Sequence, residues 1–446
     1  MRTVFRKAHV CDPSQGIDRV TDVVVEDGTI LAITDDSAPY DVGSCEVIDC
    51  SGLLLTPGLI DLHTHLREPG YEYKEDVQSG TAAAVAGGFS AVCCMPNTDP
   101  PLDEPSVIRG LLKRAEEVGV ARVYPVAAIT KGLQAEGLSE MAALKEAGAV
   151  AVTDDAYPLQ WAEVLRRGME YAAQLGLTVM THCEDKSLTR DASMNEGLTA
   201  TIMGLRGMPA VAEEIQVARN CLMSLYTGCR LHILHVSTAG AVQVIRWAKE
   251  RGAPVTAETC PHYFALTDEA CMGYNTNAKM NPPLRTQADC DAIIQGLLDG
   301  TIDAIATDHA PHAHHEKAQE FALAPFGIVG LETAFAISYT ELVATGRMSL
   351  SALVEKMSCQ PAKVLGLRGG TLKPGAPADI ALFDLERRWT VRAEQFRSKS
   401  RNTPFEGWEV LGKPVLTLVG GMGVYRAVAT YPPFPTWDGG AAPLSL

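Results

Sequence analysis

Leu53-Leu54-Leu55-Thr56-Pro57-Gly58-Leu59-Ile60-Asp61-Leu62-His63-Thr64-His65 is an apolar run that ends on two histidines two residues apart. It reads as a buried strand, Leu53–His63, in which residues i and i+2 point to the same side. Both imidazoles therefore face one spot where the strand stops, which is half of a metal site. With 11 histidines in 446 residues, about 0.3 His-x-His pairs are expected by chance. The partners of the pair decide what it means.

Seven more strand candidates follow outward from that run: Ser90–Met95, Ala121–Ile129, Ala149–Thr153, Thr178–His182, Arg230–His235, Pro254–Thr259 and Asp303–Thr307. Helical patterns fall between them at Pro105–Val118, Trp161–Leu175, Ala210–Tyr226, Ala239–Arg251 and Gln287–Leu298. Eight βα units in order predict an α/β chain built on a (β/α)8 TIM-type barrel, residues 53–365. The ends differ. Residues 1–52 carry two β-rich stretches around an Asp27-Gly28 hairpin turn, and residues 366–446 return to strand patterns at Asp379–Phe383 and Pro414–Val419. The two termini are expected to pair into one small β-rich module, with an irregular tail at Trp437–Pro443.

A formal net charge of −16 leaves no basic surface for nucleic acid or anionic lipid. The longest apolar window, Ala82 to Met95, is broken by Gly87-Gly88 and is too short to span a bilayer. A soluble cytoplasmic protein without membrane or nucleic-acid partners is expected. Twelve cysteines without a C-x-x-C pair argue against a zinc ribbon and against a secreted disulfide scaffold, and Cys93-Cys94 read as reduced core residues.

Ligands in such a barrel sit at the carboxyl ends of different strands, which converge on one mouth. His63 and His65 end the first strand, Asp154-Asp155 the fourth, His182 the fifth, His235 the sixth and Asp308 the eighth. Taken singly, each histidine reads as a satisfied core residue and the Asp pair as a turn or cap. Taken together at strand ends, they outnumber the ligands of one closed zinc site. Two ions sharing a bridging carboxylate and a water fit better, with Zn²⁺ suited and Mn²⁺ or Co²⁺ able to take the same donors.

Over essentially its whole length the chain resembles the amidohydrolase superfamily, and within it the class I bacterial dihydroorotases. The resemblance rests on Pro57 to Gly70, Met95-Pro96-Asn97-Thr98, Thr153-Asp154-Asp155 and His182-Cys183-Glu184-Asp185. It continues through Leu234 to Thr238, Cys260-Pro261-His262, Lys279 to Arg285, Thr307 to His312 and Pro325-Phe326-Gly327. It implies that His63, His65 and Asp308 hold one zinc, that His182 and His235 hold the other, and that Asp155 bridges. Hydantoinases place a carboxylated lysine at the bridge, whereas here the nearest lysine, Lys145, precedes the fourth strand. Neighbours on a strand face opposite ways, so Asp154 or Asp155 faces the mouth, not both; Asp155 is preferred. The family follows this pair with glycine where Ala156 stands, a strained choice if the position needs positive φ.

The implied activity is reversible hydrolysis of the cyclic amide of (S)-dihydroorotate to N-carbamoyl-L-aspartate in pyrimidine biosynthesis, by metal-activated hydroxide with Asp308 as general acid and base. An anionic substrate needs a cation, and Arg67, two residues past His65, offers a planar fork for a carboxylate. By resemblance His65, Asn97, Asn281 and His312, with the backbone at Phe326 and Gly327, complete the substrate shell. Segment Pro311–Leu323 reads either as a lid over the mouth or as a solvated loop. A hydantoinase or allantoinase is the nearest alternative. A silent scaffold for aspartate carbamoyltransferase is another, opposed by the intact ligand set, although an active enzyme can still bind that partner. The sequence leaves a homodimer open.

Overall fold

The computed structural model describes residues 2–34 and 45–427; the expected irregular tail lies outside them. Eight parallel strands run in the order of the chain: Leu59–Thr64, Phe89–Cys94, Arg122–Ala128, Ala151–Thr153, Thr178–Thr181, Leu231–Ile233, Val255–Thr259 and Ala304–Ile305. The last meets the first through a parallel bridge between Thr64 and His309. Asp61 reinforces that closure from inside, accepting from Thr307 N at 3.0 Å and Thr307 Oγ1 at 2.5 Å. The barrel is filled, not hollow. Leu62, Cys93, Met95, Val126, Ala151, Met180, Leu234, Ala304 and Ala306 pack its interior, and Val364 and Leu365 join them.

The expected strand Leu53–His63 is two strands. Leu54–Pro57 pairs antiparallel with Ile380–Phe383 in the terminal sheet, and only Leu59–Thr64 enters the barrel. The chain changes sheets at Gly58, where a Cβ would lie 2.3 Å from Ser90 Oγ, so only glycine allows the crossing. The terminal segments pair as expected: Met422–Arg426, Glu409–Val419, Ile380–Thr390, Leu54–Pro57, Arg2–Asp12, Ile17–Glu26 and Thr29–Thr34 lie side by side. Between Thr390 and Glu409 the chain leaves this sheet. Residues 396–405 form a strap whose side chains reach the barrel mouth through Ser398, Lys399, Ser400 and Asn402.

Helices occupy the expected gaps at Pro105–Val118, Ala162–Leu175, Val211–Thr227, Ala239–Glu250 and Gln287–Asp299. Helix Val77–Ala86 had no amphipathic signal, because seven of its ten residues, most of them small, are buried and no polar face marks the period. An Asp76 and Ser79 capping box starts it. Among the described residues no helix is long and apolar enough to cross a membrane.

Candidate metal centre

His63, His65, Asp155, His182, His235 and Asp308 converge at the carboxyl ends of the barrel strands, all at most 5% exposed. Asp155 stands between two groups. Its Oδ2 lies 3.5 Å from His63 Nε2 and 3.6 Å from His65 Nε2, while its Oδ1 lies 3.6 Å from His235 Nε2 and 3.9 Å from His182 Nδ1. Asp308 Oδ1 closes the first group at 3.1 Å from His65 Nε2 and 3.5 Å from His63 Nε2. Two donor triads have the compactness that one ion requires: His63, His65 and Asp308, and His63, Asp155 and His235. His182 lies outside both triads, with its Nδ1 2.9 Å from His235 Nε2.

The hydrogen bonds show which nitrogens face outward. His63 Nδ1 donates to Glu258 Oε1 at 3.0 Å, His65 Nδ1 to Asn97 Oδ1 at 2.8 Å, and His182 Nε2 to Glu184 Oε2 at 3.0 Å. Each ring therefore turns its other nitrogen inward, the outer-partner arrangement typical of metal-bound histidine. His63 Nε2 and Asp155 Oδ1 are buried without a hydrogen-bond partner, an arrangement costing about 1–3 kcal/mol per neutral group if nothing else compensated it. Burial opposes charge on His63, yet Asp308 and Asp155 outweigh it and hold its pKa well above the ordinary histidine value. The neighbouring histidines in turn keep Asp155 and Asp308 ionised against the effect of burial. Ring nitrogens and carboxylates converging on one spot that attracts positive charge suit a cation, so the residues present fit a metal.

Asp154 faces away. Its Oδ1 accepts from Ile129 N at 2.8 Å and Thr130 N at 3.0 Å, and burial pushes its pKa up to about 6. Ala156 adopts φ 67°, the left-handed conformation for which glycine is suited. Lys145 donates to Leu175 O at 2.6 Å, and the fourth-strand position in the cluster is held by Asp155.

Arg67, 9% exposed and at φ 62°, donates Nε to Pro311 O at 3.2 Å, and its terminal nitrogen lies 3.4 Å from His312 Nε2. His312 Nε2 donates to Phe326 O at 2.8 Å. Gly327, at φ 155°, must be glycine because a Cβ would meet Ala310 O at 2.5 Å and His312 Cδ2 at 2.7 Å. Asn281 Nδ2 donates to Glu184 Oε2 at 3.0 Å, so it stands beside the His182 group. Segment 311–323 is anchored as well as exposed: His312, Lys317 and Phe321 are buried, while His314 and His315 are open to solvent.

The sequence is 50% identical over 426 residues to a protein called dihydroorotase from Ruminiclostridium cellulolyticum, covering 96% of this chain and 99% of that one. It is 52% identical over 427 residues to one of the same name from Geobacter metallireducens, covering 96% and 100%. The chain belongs to the dihydroorotase family. A dihydro-orotase-like family model matches residues 52–241. Among solved structures, an L-hydantoinase (dihydropyrimidinase) from Arthrobacter aurescens superposes with a TM-score of 0.85 at 27% identity, over 95% of this chain and 96% of that one. A dihydropyrimidinase from Brevibacillus agri superposes with a TM-score of 0.82 at 26% identity, over 96% and 95%. The dihydroorotase-type sequence thus sits on a fold shared with hydantoinases, the related family weighed as the alternative.

Several residues that shape this dihydroorotase-family site carried no readable signal. Glu258, fully buried, joins His63 Nδ1 to His232 Nε2 at 3.0 Å each, and the two histidines hold its pKa down at about 2 despite burial. Glu75 accepts from His309 Nε2 at 3.2 Å, directly beside Asp308. A lone carboxylate in an apolar strand announces no partner until the fold supplies one.

Proposed function

We propose that this chain catalyses the reversible hydrolysis of the ring amide of (S)-dihydroorotate to N-carbamoyl-L-aspartate, a step of pyrimidine biosynthesis, in the cytoplasm. The observation that carries this reading is the buried guanidinium of Arg67 beside a donor cluster bridged by Asp155. His63, His65 and Asp308 would hold one zinc and His182 and His235 a second, with Asp155 shared; Mn²⁺ or Co²⁺ suits the same donors. Bound there, the ions supply Lewis acidity toward the ring carbonyl and toward water.

The chain's own residues do the rest. Arg67 pairs with the substrate carboxylate as a fork, and Asn97, its oxygen engaged by His65, turns its amide N–H groups to the ring. Asn281, His312 and the backbone of Phe326 and Gly327 wall the ring. Asp308, held ionised, takes the proton of the attacking water at its carboxylate and returns it to the departing ring nitrogen as the C–N bond breaks. Run backwards, the same transfers close carbamoyl-aspartate to the ring. A homodimer and an association with aspartate carbamoyltransferase belong to this reading as further proposals, to be read by light scattering and co-purification.

Arg67→Met tests the substrate. KM for dihydroorotate should rise about tenfold or more, since each charge-assisted bond contributes roughly 1.5–3 kcal/mol, with kcat changed less. An unchanged KM would remove the carboxylate clamp. A hydantoinase-like cyclic amidase is favoured by the solved structures that share the fold, but it gives Arg67 no anion to hold.

A further inference from the structure

The substrate wall of the proposed site is held by two residues that face neither the metal donors nor the ring. Asn402, from the strap of residues 396–405, is 3% exposed. Its Nδ2 donates to Ala310 O and to Gly327 O, each at 3.0 Å, and its Oδ1 accepts from His312 N at 3.1 Å. Every polar atom of that side chain is used, and all three bonds end on the segments that carry His312 and Gly327. Lys317, 5% exposed, donates Nζ to Pro325 O at 2.9 Å, Gly327 O at 3.1 Å and Lys279 O at 3.4 Å. Gly327 N in turn donates to Lys279 O at 2.9 Å. The carbonyl of Gly327 is therefore held by two side chains, Asn402 and Lys317.

Burying an ammonium and an amide so completely is costly unless every donor is satisfied. Here the partners are backbone groups of three segments, at Lys279, at Ala310 and His312, and at Pro325 and Gly327, which are thereby fixed against one another. His312 is seated by the same arrangement, because Asn402 holds its backbone N–H while Phe326 O holds its ring.

We propose that Asn402 and Lys317 form a clasp that positions the His312 and Phe326–Gly327 wall against the ring of the substrate, setting KM without touching substrate or metal. The clasp rests on the dihydroorotase reading of the site. It makes the terminal strap, outside the barrel in sequence, part of substrate recognition.

The test compares wild type, Asn402→Ala and Lys317→Met, each assayed with dihydroorotate after metal reconstitution and each analysed for metal content. A displaced wall loses binding contacts to the ring, so KM should rise about tenfold in either variant, with kcat within about threefold and metal content as in wild type. A merely structural role would lower the active fraction and the melting temperature and leave KM unchanged, and that result overturns the clasp. If Asn402→Ala does not fold, Lys317→Met alone decides on the same criterion. If wild type cleaves a hydantoin instead of dihydroorotate, the functional reading fails, and the clasp is then judged by the same KM comparison on the hydantoin.

Discussion

Asp154 and Asp155 are chemically identical neighbours whose surroundings separate them. Asp154 is spent on the backbone of Ile129 and Thr130, while Asp155 lies among four imidazoles. Asp155→Ala should lower metal content as well as turnover, whereas Asp154→Ala should destabilise the loop and retain metal; equal metal in both purified variants would contradict the bridging role. Asp308→Ala should keep the fold and lose about 10²–10⁴ in kcat, and a near-normal kcat would remove Asp308 from proton transfer. Ala156 holds φ 67° next to Asp155, a conformation that costs a residue with a Cβ about 1–2 kcal/mol. Ala156→Gly should therefore raise the unfolding free energy by about 1 kcal/mol in a urea titration, and a loss would mean that the alanine methyl makes a compensating contact. The sequence already showed His63, His65, His182, His235 and Asp308 at strand ends, because period-two strands and a single barrel mouth leave few alternatives. It preferred Asp155 over Asp154 without fixing the choice, since a shift of one residue in the strand end inverts which of them faces inward.

At the scale of elements, the strap is the feature that the sequence hides. Residues 396–405 follow a strand of the terminal sheet, and their pattern says nothing of Glu75, Ala310 or Gly327, which lie far away along the chain. Helix Val77–Ala86 was hidden for the opposite reason, being too uniformly small and buried to show a period. The strap is also tied down by Glu332, which accepts from Arg397 N at 2.7 Å and Ser398 N at 3.1 Å. Burial pushes the Glu332 carboxyl up to about 7, from an ordinary 4.5. Between those values the folded protein binds a proton that the unfolded chain releases. Its contribution to stability is therefore full below pH 4.5 and lost as pH rises through about 7. Glu332→Gln does not titrate, so its melting temperature should match wild type near pH 4 and exceed it near pH 8. A difference independent of pH would show that the carboxyl does not titrate in that window.

At the scale of the molecule, barrel and terminal sheet are joined by the chain crossing at Gly58, by its return to the sheet at Ile380 and by one hydrophobic cluster, in which Leu54, Ala381, Phe383 and Val419 pack with the barrel helices. Arg122 at the start of the third barrel strand pairs with Asp379 through Nε at 2.8 Å and a terminal nitrogen at 3.0 Å, and Asp379 also accepts from Gly420 N at 2.7 Å. Unfolding should accordingly be a single calorimetric transition, and Arg122→Met should lower stability by about 3 kcal/mol by leaving a buried carboxylate without its partner. Two resolved transitions would show that the sheet is an independent unit. The account as a whole stands on a metal-dependent site that expects an anionic ring. Metal analysis of the purified chain, run beside ultraviolet assays with dihydroorotate and with a hydantoin, tests that most directly. The prediction is about two equivalents of zinc or a substitute ion per chain, with dihydroorotate turnover that chelation removes and metal restores. Hydantoin cleavage without dihydroorotate turnover would contradict it.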